Sequence, residues 1–393
     1  MTLRKISASQ IYTNRGLPLT NAVLVVDPAG VIVSLDPLEN HDPASVEKYE
    51  GILTPGFVNA HCHLELSHMK GKVSTGTGLV KFIEGVVSLR GSDQEEIQTA
   101  IDAADEEMWQ GGIVAVGDIC NKPDTFARKD ISPIHYHSFV EMFDFWQDHL
   151  AQKTFEEYKS VYDNLTDKEG HRRSAVPHAP YSVSRTLFRL LNDLNSEGTS
   201  ISIHNQETLA EELMFRDKSG DFLTLFGKFG FTYDHFEPTN QSSIHYAIQN
   251  MDPRHHSLFV HNTLTNANDV KVTVDWNPNS YWVSCPNANL YIENRLPDYQ
   301  MFLATGAQVC LGTDSLTSNW QLSILEEIKT IRKYQSFVPQ ADIIRWATLN
   351  GAKALNIADQ YGSLEVGKAP GINLISVNSA GEIDTSSNVQ KVI

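Results

Sequence analysis

The chain is poor in cysteine and in positive charge, and it has no long apolar run. Of 393 residues only four are cysteine: Cys62, Cys120, Cys285 and Cys310. They form no CxxC pair and are too sparse for a disulfide framework, which excludes a stapled secreted scaffold. All four lie in or beside apolar stretches, where cysteine acts as a small hydrophobe. Lysine and arginine number 31 against 48 acidic residues, a formal net charge of −17. That balance argues against a nucleic acid polymer or an anionic membrane as partner. The opening MTLRKISASQ lacks the apolar core of a signal peptide, and no stretch reaches transmembrane length, so the expected location is cytoplasmic. Asn164-Leu165-Thr166 and Asn240-Gln241-Ser242 match glycosylation acceptors but have no secretory route behind them. Gly76-Thr77-Gly78 has neither a preceding strand nor a third glycine opening a helix, which argues against a phosphate loop.

What the sequence does have is strand alternating with helix. Ala22–Val26 and Val31–Val33 flank Asp27-Pro28-Ala29-Gly30, a hairpin by its turn residues. The last thirty residues are again strand-rich, so both termini are expected to build a small β-sandwich domain, residues 1–54 with 359–393. Between them, Gly56 onward, Ile113–Val116, Ile134–Val140, Ser174–Val176, Ser200–His204, Ser257–His261, Tyr281–Ser284 and Gln308–Gly312 read as eight strands. Helices separate most of them: one opens at the capping-box match Ser92-Asp93-Gln94-Glu95, and another spans Trp320–Tyr334 with Leu322, Leu325, Ile328 and Ile331 on one stripe. Eight such units predict an α/β fold, a (β/α)8 TIM barrel over residues 55–358.

Barrel active sites lie at the carboxyl ends of the strands, and those ends are rich in histidine. Strand one ends in His61-Cys62-His63, where period two points both imidazoles the same way. Strand four ends in His178, strand five in His204 with Glu207 three residues on, strand six in His261, and strand eight in Gly312-Thr313-Asp314-Ser315. His135, His137, His149, His171, His235, His245, His255 and His256 show no comparable placement and read as surface or core residues. A mononuclear metal site needs about three histidines and a carboxylate with one position open, and His61, His63, His204 and Asp314 fit that count. Glu207 is near enough to His204 to face the same pocket and shuttle protons, and His261 is placed to hydrogen-bond an attacking oxygen. A second metal in such a barrel usually wants a bridging group such as a modified lysine on strand four. That strand carries His178 and no lysine, so one divalent ion is expected, zinc or iron, since both accept these ligands.

These same residues carry a resemblance. Thr54-Pro55-Gly56-Phe57-Val58-Asn59-Ala60-His61-Cys62-His63 resembles the signature that opens the barrel of the amidohydrolase superfamily. Ile203-His204-Asn205-Gln206-Glu207-Thr208, Val260-His261, Gly312-Thr313-Asp314-Ser315 and Ala347–Leu355 continue it across the chain. The pattern is similar to the branch of cytosine, guanine and adenosylhomocysteine deaminases and triazine hydrolases, whose barrels carry a β-sandwich from both termini. The resemblance implies His61, His63, His204 and Asp314 as metal ligands, Glu207 as proton shuttle, His261 as oxygen-positioning residue and His178 as a substrate contact. It further implies hydrolytic deamination, with Asp314 helping a proton to departing ammonia, and a homodimer as the common assembly. His63-Leu64-Glu65-Leu66-Ser67, Gly78–Ile83 and Arg90 are similar to aminofutalosine deaminases, enzymes of menaquinone synthesis that act on an adenine-bearing nucleoside. That likeness makes Glu65, Ser67 and Arg90 further substrate contacts, with Arg90, Lys70 or Lys81 as the cation for a substrate carboxylate. Glu141 and Asp144, where adenosylhomocysteine enzymes have arginine, argue against that substrate. Lys368-Ala369-Pro370-Gly371 departs from the usual Ala-Asp-Leu, far from the site. Two other readings stay open: the same site with another leaving group, from a cyclic amide or chlorotriazine, and a silent scaffold that holds metal for stability.

Overall fold

A computed structural model describes residues 2–165 and 171–393; Thr166, the third residue of the first glycosylation match, lies outside them. Four strands come from the amino-terminal end: β1 (Arg4–Ile11), β2 (Ala22–Val26), β3 (Ile32–Pro37) and β4 (Glu47–Pro55). Two come from the carboxyl-terminal end, β13 (Ile372–Ile375) and β14 (Val389–Lys391), and hydrogen bonding joins all six in the order β14-β13-β4-β1-β2-β3. The expected hairpin is β2–β3, where Asp27 Oδ1 accepts from the Ala29 and Val31 N–H groups, both at 2.9 Å. Ile6, Ile11, Leu24, Val26, Ile32, Leu53, Leu364 and Ile372 form a core of their own under this sheet.

β4 continues past Gly56 into the barrel. Its eight strands are β5 (Phe57–Cys62), β6 (Ile113–Cys120), β7 (His135–Met142), β8 (Arg172–Pro177), β9 (Ser200–Asn205), β10 (His256–His261), β11 (Ser280–Ser284) and β12 (Val309–Leu311). They read as near-continuous apolar runs because helices cover their outer faces and side chains fill the interior. Two parallel ladders form, β5-β6-β7-β8 and β9-β10-β11-β12. They meet at two seams. At one, the His204 N–H donates to His178 O at 2.9 Å and Ser174 Oγ donates to Ser200 O at 2.8 Å. At the other, the Thr313 and Asp314 N–H groups both donate to His61 O, at 3.0 and 3.1 Å, and Cys62 bridges to Asp314. The eight predicted strands are those observed.

Helix boundaries differ more. The helix Gln94–Gln110 is capped by Asp93, whose carboxylate accepts from the Glu96 N–H at 2.8 Å, rather than by Ser92. The predicted Trp320–Tyr334 helix starts only at Ile324, capped by Ser323; residues 313–319 are held in a polar loop by their own side chains. Among the described residues no helix is long and apolar enough to cross a membrane.

One buried ion pair anchors the segment next to the strand-one histidines. Asp118 on β6 accepts from the Leu64 N–H at 2.8 Å and pairs with Lys129 Nζ at 2.6 Å, both side chains almost wholly buried. Lys129 Nζ also donates to Ser138 Oγ at 2.9 Å. Removing one partner leaves a buried charge without compensation, so Lys129→Met is expected to cost about 3–5 kcal/mol. Denaturant titration checks this, and an unchanged midpoint contradicts it.

Candidate metal and active site

Strands β5, β9 and β10 and the turn after β12 aim their terminal side chains at one buried point. His63 Nε2 lies 3.1 Å from His61 Nε2 and 3.3 Å from His204 Nε2. Asp314 Oδ1 lies 3.6 Å from His61 Nε2 and 3.3 Å from His63 Nε2. Among the described residues, His61, His204, His261 and Asp314 also present donor atoms all within 4.8 Å of one another. Tetrahedral ligands at zinc distances stand about 3.4 Å apart, so these separations match a shared ion.

The outer ring nitrogens decide which lone pairs face inward. His204 Nδ1 donates to the His178 carbonyl at 2.8 Å, and His261 Nδ1 sits 2.8 Å from Asn289 Oδ1 as donor. Each therefore turns an unprotonated Nε2 toward the cluster. His61 Nδ1 has no such partner among the described residues; close packing places that ring instead. A Cβ on Gly312 would stand 3.0 Å from His61 Cβ, so the strand-eight glycine is what lets β12 approach. Asn59 completes the seam, donating to Thr313 Oγ1 at 2.8 Å and accepting from the Thr313 N–H at 3.1 Å.

Burial sets the charge states. It lowers His63 to about 3 and His261 to about 4, against an opposing Asp314, and with the neighbouring imidazoles it drops His204 well below the usual histidine range. Burial alone would raise Asp314, but the His61 hydrogen bond and the adjacent imidazoles hold it well below the usual carboxylate range. Imidazoles with a lone pair turned inward, together with one ionised carboxylate, are the donor set a divalent zinc or iron ion takes. Two of the cluster residues carry backbone strain: Asp314 and His261 are left-handed at φ 57° and 78°, costing about 1–2 kcal/mol each. Ser318 Oγ donates to Asp314 Oδ2 and holds the carboxylate in place.

Glu207 lies in the turn after β9, its Oε2 3.6 Å from His261 Nε2. Burial first, then Asp314 and Glu211, push its carboxyl well above the usual range. The cluster opens into a cavity of about 260 Å³ lined by His63, His178, His204, Glu207, His261 and Asp314 at its polar end. Leu66, Phe82, Ile83, Val86, Phe143, Tyr181 and Phe226 are among the apolar residues of the remaining wall.

Residues 52–393 match the amidohydrolase family. The chain belongs to that family. It is 27% identical to an adenosine deaminase of Helicobacter pylori over 332 residues, 83% of this chain and 79% of that protein. It is 26% identical to an aminodeoxyfutalosine deaminase of Deinococcus radiodurans over 371 residues, 90% and 85% of the two chains. The fold is shared with the crystal structure of Helicobacter pylori aminofutalosine deaminase in complex with methylthio-coformycin, at a TM-score of 0.78 and 24% identity, covering 96% of this chain and 93% of that one. It is shared also with a zinc-bound adenosine deaminase of Xanthomonas campestris, at a TM-score of 0.71 and 20% identity over 96% and 85%.

The predicted substrate contacts separate in this amidohydrolase. His178, Glu65 and Arg90 line the cavity; Ser67 does not, and its hydroxyl donates to Leu64 O at 2.7 Å. His178 Nδ1 is 2.7 Å from Ser182 Oγ. Glu65 Oε2 accepts from the Asn121 and Lys122 N–H groups at 2.8 and 3.2 Å, so it braces the loop after β6. Burial raises its carboxyl to about 7. Lys70 and Lys81 are exposed and outside this cavity, which leaves Arg90 as its cation.

Other contributors lie outside the predicted site residues. The helix Leu79–Leu89 forms one wall of the cavity. Glu327, fully buried on the helix Ile324–Tyr334, accepts from the Asn287 N–H at 2.8 Å, Asn287 Nδ2 at 3.0 Å and Asn319 Nδ2 at 2.8 Å. Asn287 shares a helix with Asn289, the partner of His261, while Asn319 also donates to Thr313 O at 2.7 Å. One carboxylate thus braces both the His261 and the Asp314 arms. Glu327→Leu strands three buried N–H groups and is expected to cost about 2–4 kcal/mol, read by denaturant titration; an unchanged stability contradicts the brace.

Proposed function

We propose that this amidohydrolase is a metal-dependent hydrolytic deaminase of an adenine-type nucleoside. The convergence of His61, His63, His204, His261 and Asp314 beside the buried carboxyl of Glu207 is the observation that carries the reading. His61, His63, His204 and Asp314 would hold one divalent ion, which supplies a nucleophile from water near neutral pH. The barrel, residues 55–358, carries the chemistry, and residues 1–54 with 359–393 form a supporting domain.

The chain's own groups then divide the proton work. Burial keeps Glu207 protonated, so it gives its proton to the ring nitrogen beside the amidine carbon as the water oxygen adds there. Neutral His261, its Nδ1–H held by Asn289, keeps Nε2 facing that oxygen and orients it. Of the two protons of the water, one restores Glu207 and Asp314 carries the other to the exocyclic nitrogen; the carbon–nitrogen bond breaks, ammonia leaves and a carbonyl remains. The apolar walls exclude bulk water around the base. Aminodeoxyfutalosine is the first substrate to test, on the likeness of Leu64-Glu65-Leu66-Ser67 and Arg90 to its deaminases and on the name of the Deinococcus radiodurans relative.

Glu207→Gln is expected to lower ammonia release from that nucleoside by about 10²–10⁴-fold with bound metal retained. Steady-state assay with elemental analysis reads both, and full activity in the variant overturns the shuttle. Release of chloride or a ring-opened acid in place of ammonia would move the chain to another leaving group. Dialysis against a chelator is expected to abolish turnover, and whichever of zinc or ferrous iron restores it names the ion. Turnover that survives metal removal overturns the metal role.

A further inference from the structure

Glu207 carries its proton on a side chain that no other side chain holds. Among the described residues its carboxyl makes no hydrogen bond, and His261 Nε2 stands 3.6 Å from its Oε2. The direction of that carboxyl is therefore set by its backbone, and the backbone is clamped from both sides. The Glu207 N–H donates to Glu211 Oε2 at 3.1 Å, and the Glu207 carbonyl accepts from Thr263 Oγ1 at 2.8 Å. The preceding residue is caught by the same group: the Gln206 N–H donates to Glu211 Oε1 at 3.0 Å. Gln206 is left-handed at φ 46°, a conformation that a residue with a side chain seldom keeps without such support.

Glu211 is more than a helix cap. It is the third residue of the helix Leu209–Asp217 and is fully buried. In a capping box a glutamate at that place accepts from the N–H of the N-cap residue, which here is Thr208. Glu211 reaches one and two residues further back instead, to the two N–H groups that place the proton shuttle. Burying a carboxyl this deeply is costly, and both of its oxygens are spent on that turn. Glu211 is not part of the cavity wall, so it acts on the reaction through Glu207. Its charge works through the same residue, adding to burial and Asp314 in holding the Glu207 proton.

We propose that Glu211 is a positioning residue: by holding the Gln206 and Glu207 N–H groups, with Thr263 on the other side of Glu207, it fixes the shuttle carboxyl where it meets the substrate's ring nitrogen. This rests on the deaminase reading. The test is a double-mutant cycle of Glu211→Gln with Glu207→Gln. In each protein kcat and KM are measured by ammonia release from aminodeoxyfutalosine and from adenosine, alongside metal content. Glutamine keeps the size of Glu211 but has one acceptor oxygen and sets an amide NH2 against the second N–H.

Glu211→Gln is expected to lower kcat by about 10–100-fold, the scale of a small misplacement at a reacting centre, with KM little changed and metal retained. In the Glu207→Gln background the same change should cost almost nothing, because the group it places is gone. An equal loss of kcat in both backgrounds, full activity in Glu211→Gln, or loss of its metal overturns the proposal and leaves the deaminase reading standing. Should Glu211→Gln fail to fold, Thr263→Val decides, since it removes the other side of the clamp. It should lower kcat with Glu207 present and not without it, and an equal effect in both overturns the proposal. A wild type that releases ammonia from neither nucleoside removes the deaminase reading and the proposal together.

Discussion

The site depends on one carbonyl. His61 O receives the N–H groups of both Thr313 and Asp314, at 3.0 and 3.1 Å, and so fastens the first barrel strand to the last. His61 and His63 are some 250 positions from Asp314 in sequence, and only this seam makes them neighbours. Asn59 and Thr313 reinforce it with two side-chain hydrogen bonds, and Gly312 lets the strands come close enough. The left-handed backbone at Asp314 is a local cost of turning the carboxylate inward, and the hydrogen bonds of the seam and of Ser318 offset it.

Burial then turns a packed cluster into a reactive one. Burial keeps His63 and His204 neutral, and neutral imidazoles with one ionised carboxylate are the donors the proposed metal site needs. The same desolvation acts in the opposite chemical sense on Glu207, keeping its proton available. One environment thus suits both the proposed ligands and the proposed acid, with Asn289 and Glu327 holding the geometry from behind.

The barrel and the donor cluster were legible in the sequence because each follows a simple period. Eight apolar runs separated by helices specify the barrel, and period two in a strand places His61 and His63 on one side. His204, His261 and Asp314 were legible because strand ends in such a barrel point to one face. The likeness of Gly78–Ile83 marked the start of the Leu79–Leu89 wall, but nothing in its pattern says which tertiary surface its apolar stripe meets. Glu327 and Asn289 act through other side chains at long sequence separation, so no motif marks them. Glu65 carries a likeness to substrate-binding segments, yet its Oε2 is spent on two backbone N–H groups of the loop after β6. The cap at Asp93 rather than Ser92 is a shift of one residue, within reach of two adjacent capping side chains.

The central claim is that one seam assembles one metal site, and the most direct measurement is the metal stoichiometry of the purified protein. Elemental analysis of protein prepared without chelators should find one zinc or iron per chain, lost when Asp314 is replaced by alanine. A wild-type protein with no bound metal, with two ions per chain, or with a metal content indifferent to Asp314 would contradict the account.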